Sequence, residues 1–228
     1  MLAIAAFSEI KQNLKMGADL PPPVLERLRD LRKATALNHL SDEQELLDDA
    51  EASVSKMESR AEEFASLLGG QVIELGLKKR DGAAYKIKHK YNGVAQKACD
   101  LVRCRILIDA DDVPLARALL GLHDSVTALK DLVARKSKTG LQILNAKVAL
   151  ENGHVGEIQI VTPNMYQAMQ QTHTRYKEIH DLTNQFAGAA MPDEQAAKIS
   201  ELRVRCDDLH ATGASLDRLH RFVDRVPA

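Results

Sequence analysis

The chain has 228 residues and carries 31 Lys and Arg against 32 Asp and Glu, a formal net charge of −1. That length allows one medium domain with helical additions and a core that needs no disulfide or metal staple. The even charge balance excludes a whole-surface attraction to nucleic acid or anionic membrane, so any anion site must be local. Three cysteines, Cys99, Cys104 and Cys206, make neither a CxxC pair nor an even set, which fits a reducing, cytoplasmic setting better than a secreted scaffold. The apolar start, Met1 to Phe7, lacks a basic region before it and meets Glu9 and Lys11 too early for an export signal. No apolar run reaches the roughly 18 residues of a bilayer span, so no membrane partner is expected.

Pro21, Pro22 and Pro23 close the first segment and preset a short helix with Val24, Leu25, Leu28 and Leu31 on one face. A second helix is predicted to open at Ser41, with Gln44 completing a capping box, and to run to Leu68 before Gly69 and Gly70 stop it. Its apolar stripe, Leu47, Ala50, Val54, Met57, Ala61, Phe64 and Leu68, is either a seam between two protomers or a face packed on its own domain. The period then changes, because Val72 to Leu75 and Val102 to Ile108 read as strands. Between them Lys78 to Lys97 is helical in character, interrupted at Asn92-Gly93, and holds seven Lys or Arg against one Asp.

Asp111 to His123 reads as a helix, followed by strands at Val126 to Leu129, Leu141 to Leu150 and Val155 to Val161, the last two joined by Glu151-Asn152-Gly153. Pro163 opens a helix reaching Ile179 or beyond. Pro192 with Asp193 opens a last one, lined by Ile199, Leu202, Cys206 and Leu209. The expected architecture is α+β, with a helical segment at 1–69, a mixed sheet domain at 70–186 and a helical segment at 187–228.

Asp100 stands immediately before one strand and Glu157 on another, so two carboxylates can converge from different strands. Such oxygen donors suit Mg²⁺, which is usually held by one or two carboxylates together with substrate phosphates. The basic run from Lys78 to Lys90 would then balance a polyphosphate, although taken alone it also reads as a solvated helix face.

The segment Lys86 to Ile108, with Lys90-Tyr91-Asn92-Gly93 and Asp100-Leu101-Val102-Arg103, resembles the RelA/SpoT synthetase domain. So do Lys130-Asp131, Gly140, the strand Gly156-Glu157-Ile158-Gln159-Ile160 with Thr162-Pro163, and His173 with Tyr176, in the same order over about residues 70–180. The resemblance implies a nucleotidyltransferase-like mixed sheet, framed by N- and C-terminal helices. It also implies transfer of the β,γ-pyrophosphate of ATP to the 3′-hydroxyl of a nucleotide, assisted by Mg²⁺. Asp100 and Glu157 would hold the metal, with Glu157 also helping to deprotonate the hydroxyl. Lys78, Arg80 and Lys86 would clamp the donor ATP, and Lys130 would meet the acceptor's phosphates. Arg105, Gln159 and His173 would bind nucleotide or support the site. Gly140, Leu141 and Asn145 would line the acceptor pocket.

The sequence departs from that pattern at Leu141, where relatives carry an aromatic that stacks on the acceptor base, and at Ala128 and Val161, which replace cations. A missing platform costs about 1 to 3 kcal/mol of base binding. Three readings follow. The first is a pyrophosphokinase with an atypical acceptor, an adenine nucleotide or a tRNA 3′ end, as in toxic small members of the family. The second is an inactive nucleotide-binding relative. The third is a helical interaction module assembled through the Leu47 to Leu68 stripe. The terminal helices could also mediate homo-oligomers or receive a neutralising protein partner.

Overall fold

The computed structural model describes residues 2–186 and 189–223. Residues 187–188 and 224–228 of the expected C-terminal segment, and residue 1, lie outside the described residues. The described chain is a mixed α+β structure whose five-stranded sheet is preceded and followed in sequence by helices. By contacts it divides into two compact units, Met1–Lys130 with Leu144–Ile160, and Asp131–Ile143 with Val161–Ala228. No helix among the described residues is long and apolar enough to cross a membrane.

The first unit opens with α1 (Leu2–Lys15), α2 (Pro22–Lys33), α3 (Glu43–Ala52) and α4 (Val54–Leu68). Pro22 and Pro23 start α2, where a missing N–H costs nothing because first-turn donors have no intrahelical acceptor. The cap of α3 lies one residue later than the sequence suggests. Asp42 accepts from the Glu45 amide at 2.9 Å, and Gln44 instead donates to Asp48 at 3.0 Å. The predicted single helix from Ser41 to Leu68 is two, because buried Ser53 turns its hydroxyl onto the Asp49 carbonyl at 2.6 Å and interrupts the helical ladder. Gly69, in the left-handed region at φ 67°, ends α4. The stripe Leu47, Ala50, Met57, Ala61, Phe64 and Leu68 is buried in this chain's own core, with α4 packed on the first two strands. It therefore does not form an exposed seam for a second protomer.

The strands are β1 (Gln71–Leu77), β2 (Val102–Leu107), β3 (Val126–Asp131), β4 (Leu144–Ala149) and β5 (Val155–Val161), in spatial order β1-β2-β5-β4-β3. Pairing of β1 with β2 and of β4 with β5 is antiparallel. Between β1 and β2 lies α5 (Arg80–Lys90), followed by Asn92 and Gly93 at φ 53° and 78°, the interruption that Asn-Gly announces. A 3-10 turn at Ala110–Asp112 leads into α6 (Val113–Leu122), on which α1 and α2 pack. The strand expected from Leu141 begins only at Leu144, because Ser137 Oγ accepts the amides of Thr139 and Leu141 and holds this stretch as a loop.

Alternation gives the sheet one apolar face, with Val102, Cys104, Ile106, Ala146, Val148, Ile158 and Ile160 buried, and one polar face. Glu74 pairs with Arg105 across β1–β2, and Asn145 with Gln159 and Lys147 with Glu157 across β4–β5. On the apolar face β5 comes close to its surroundings at Gly156, where a Cβ would lie 2.1 Å from Met57 Cε and 2.9 Å from the Val102 carbonyl oxygen.

The hairpin turn is tied to α3. Asn152 donates to Asp49 at 2.7 Å and to Ser53 at 2.8 Å, and fully buried His154 meets Asp49 through Nδ1 at 2.8 Å. Burial holds the His154 imidazole below its ordinary range, helped by the neighbouring His39 and opposed by Asp49. Its Nε2 is buried without a hydrogen-bond partner, so protonation would add an unsatisfied donor.

The second unit contains α7 (Pro163–Gln185) and α8 (Asp193–Val223), packed on each other, and the loop 131–143. Ile179, Ile199, Leu202 and Cys206 form its buried seam. Asp217 accepts from the Asn164 amide at 3.3 Å and its carboxamide at 2.9 Å, and also from Thr162 Oγ1.

Gly156→Ala is expected to destabilise the fold by about 1–3 kcal/mol through overpacking. Gly82→Ala, inside α5 with nothing within 4 Å of its Cβ, should gain about 0.5–1 kcal/mol; urea midpoints check both. Because the folded His154 pKa is depressed, its contribution is complete above the unfolded value of about 6.5 and is lost as pH falls through the folded value. The urea midpoint should therefore decline from about pH 6.5 downward, and His154→Gln should flatten that decline.

Candidate active site

The polar end of the β1–β2–β5–β4 face gathers two carboxylates and several ammonium groups. The ladder between β1 and β2 extends one step past its last paired residues, because the Lys78 amide donates to the Leu101 carbonyl at 2.8 Å. This sets the Lys78 side chain beside Asp100, Nζ to Oδ2 at 3.2 Å. In α5, Ala83 and Ile87 face the core, which brings Lys86 to the flank, where its Nζ donates to the same Oδ2. Tyr91 lies under both Lys86 and Lys90, with Nζ 5.4 and 5.7 Å from the ring centroid.

Glu157 enters from β5. Its Oε2 accepts from Lys147 Nζ at 2.5 Å and its Oε1 from Gln159 at 2.7 Å. Lys147 also donates to the carbonyl of Cys99, the residue before Asp100, at 3.0 Å. One ammonium group thus links the loop that carries Asp100 to the strand that carries Glu157. Behind them Arg105 donates to Gln159 through two nitrogens, at 3.1 and 2.9 Å, and to Glu74 at 2.6 Å. The loop before Asp100 is fastened by Asn38, only 2% exposed, whose amide group donates to the Ala98 carbonyl at 3.1 Å and accepts from the Val155 amide at 2.6 Å. That one side chain spans the approaches to both acidic residues.

Burial would raise the Asp100 pKa, but Lys86 and Lys78 outweigh it and hold the carboxyl well below the usual carboxylate range. The two lysines respond differently to the same partner. For Lys78, burial and repulsion from Lys86 prevail and its pKa falls. For Lys86, the short contact with Asp100 overcomes burial and its pKa rises. Lys90 is lowered by burial and by Lys86, Lys130 and Lys147, which puts Lys130, exposed on β3, within the same positive field. Burial raises the Cys99 thiol and pushes Cys104 up to about 12, so these cysteines are fillers beside the strand rather than nucleophiles.

Asp100 Oδ1 is buried and has no hydrogen-bond partner. An orphaned carboxylate oxygen is costly, and together with the Glu157 carboxylate it fits a small hard cation completed by substrate phosphates. No cluster of three or more His, Cys, Asp or Glu that could hold a metal occurs among the described residues.

No protein-family model matches the chain. Among curated proteins, the (p)ppApp synthetase toxin Tas1 of Pseudomonas aeruginosa is 28% identical over 149 residues, 65% of this chain and 32% of that protein. The chain thus spans about a third of the length of this relative. Among solved structures, the type VI effector Tas1 in complex with its immunity protein superposes with TM-score 0.56 at 21% identity, covering 75% of this chain and 96% of that one. Small alarmone synthetase 1 of Bacillus subtilis, bound to its product pppGpp, gives 0.58 at 16% identity, covering 79% and 95%.

The chain has the RelA/SpoT-like synthetase fold. Within that fold the structure gathers Lys78, Lys86, Asp100, Lys147 and Glu157 directly, and links Arg105 and Gln159 to them through hydrogen bonds. Asn145 lies on the same face, paired with Gln159. Arg80 is engaged elsewhere, donating to Glu51 at 2.7 Å and Asp48 at 2.6 Å on α3. Gly140, Leu141 and His173 belong to the second unit of the chain. There Gly140 sits at φ 77° against Asp207, half-buried Leu141 donates its amide to Ser137, and His173 is exposed on α7.

Lys147 and Asn38 also belong to the site, without a motif that marks them. For Lys147 a signal existed: counting back from the Glu151-Asn152-Gly153 turn puts it opposite Glu157. Asn38 lies in an irregular stretch with no periodicity to mark it.

Proposed function

We propose that this chain is a pyrophosphokinase that transfers the β,γ-pyrophosphate of ATP to the 3′-hydroxyl of an adenine nucleotide. The observation that carries the reading is the meeting of Asp100 with Lys78 and Lys86, joined through Lys147 to Glu157. The hydroxyl oxygen attacks the β-phosphorus, the bond from that phosphorus to the α,β-bridging oxygen breaks, and AMP leaves. Such a transfer needs positioning and charge neutralisation rather than a covalent nucleophile.

Lys78 and Lys86 supply cations to the donor phosphates, and Lys130 and Lys90 extend that field towards the acceptor. Glu157 accepts the hydroxyl proton, held in orientation by Gln159 and Arg105. Asp100 and Glu157 would hold Mg²⁺, which when bound supplies charge neutralisation at the phosphates. Arg80 joins the donor clamp only by leaving Asp48 and Glu51. The adenine acceptor is supported by the relation to Tas1, named as a (p)ppApp synthetase toxin. The buried apolar side chains of Ala128 and Val161, in place of cations, favour as second reading a relative that binds nucleotide without transfer.

Purified protein incubated with γ-labelled ATP, Mg²⁺ and AMP, ADP, GDP, GTP or bulk tRNA is expected to label the adenine nucleotides. Glu157→Gln and Asp100→Asn should each lower that rate at least about 100-fold. Label on tRNA or guanine nucleotides alone would refute the acceptor. No product, with thermal stabilisation by ATP, would establish the second reading.

A further inference from the structure

We propose that Lys147, with Lys78 and Lys86, is a resident counter-cation that keeps the divalent metal off the two carboxylates until a polyphosphate arrives, so that metal and nucleotide enter as one coupled event. The inference rests on the pyrophosphokinase reading of the site and adds to it a resting state and an order of binding.

Three ammonium groups stand against two carboxylates. Lys78 and Lys86 both bond Asp100 Oδ2, and Lys147 bonds Glu157 Oε2 at 2.5 Å, with Gln159 occupying Oε1. Asp100 Oδ1 is therefore the carboxylate oxygen of the pair left without a hydrogen bond, and the positive charge of its neighbours surrounds it. A small dication that sheds water reluctantly gains little from one such oxygen in a field that is already positive. A polyphosphate reverses the balance. Its oxygens accept charge-assisted hydrogen bonds from the same lysines; Lys147 swinging to phosphate frees Glu157 Oε2 for the metal, and Lys78 and Lys86 leaving together free Asp100 Oδ2.

Lys147 differs from the other two. Besides Glu157 it holds the Cys99 carbonyl at 3.0 Å, and it is only 23% exposed at the side chain, so it is built into the junction between the Asp100 loop and β5. Lys78 and Lys86 approach from β1 and α5, on the side from which the donor clamp is drawn. Lys147 approaches from β4 and is the lysine whose departure uncovers Glu157. A purely structural ion pair would hold the strands together without affecting metal affinity.

Mn²⁺ binding, read by electron paramagnetic resonance as loss of the free-ion signal, tests this on the intact chain. Without nucleotide, wild type and Lys147→Arg should bind Mn²⁺ weakly and Lys147→Gln at least tenfold more tightly. With α,β-methylene-ATP present, the three should agree within about threefold. Lys147→Met, which keeps the apolar stem, substitutes if thermal unfolding finds Lys147→Gln unfolded. Equal Mn²⁺ affinity of wild type and the neutral variant without nucleotide, with nucleotide-dependent Mn²⁺ binding retained, overturns the counter-cation role and leaves the active-site reading standing. Absence of Mn²⁺ binding in every variant, with and without the analogue, overturns both.

Discussion

The arrangement depends on the cost of keeping two carboxylates on a half-dry polar face of the sheet. Asp100 and Glu157 are 8% and 7% exposed, and a carboxylate in such surroundings persists as an anion only with cations and donors on its oxygens. Lys78 just after β1, Lys86 on α5 and Lys147 on β4 supply them. The polar face of the sheet is organised around this requirement. Arg105 is fixed by Glu74 and Gln159, and Gln159 in turn orients Glu157. On the opposite face, Gly156 lets β5 approach Val102 closely enough for the two acidic approaches to share Asn38.

Such a cluster is stable but not satisfied. The ion pairs offset burial, yet Asp100 Oδ1 has no partner, and Lys78 and Lys86 compete for a single oxygen with opposite consequences for their own protonation. A site whose charges are better matched by an incoming anion than by each other is suited to binding one. The engagement of Arg80 by Asp48 and Glu51 has the same character on a more exposed surface, where ion pairs contribute little and exchange readily.

Much of this was legible in the sequence, for identifiable reasons. Punctuation by Pro22, Gly69, Asn92-Gly93 and Glu151-Asn152-Gly153 fixed where elements stop, because these residues act through their own backbone dihedrals. The alternation of Glu157 and Gln159 with Ile158 and Ile160 fixed which face they share. What was not legible depended on partners distant in sequence. Ser53 breaks a helix that is periodic on both sides, and its hydroxyl receives Asn152 from the hairpin turn. Asp42 displaced Ser41 as cap because both patterns overlap. Asn38 earns its role only once the Asp100 loop and β5 lie beside it. Gly140 was read for its place in a motif, whereas its neighbourhood is set by α8, where Asp207 meets Lys136 at 2.9 Å and His210 meets the Thr139 carbonyl at 2.5 Å.

Lys147 and Glu157 act as a coupled pair rather than as two independent side chains. A double-mutant cycle on unfolding free energy, using Lys147→Met, Glu157→Gln and the double variant, measures this directly. A coupling of about 1 kcal/mol or more is expected, with the double variant more stable than the two single losses sum to. Additive losses, with a coupling near zero, would show the two side chains to be independent.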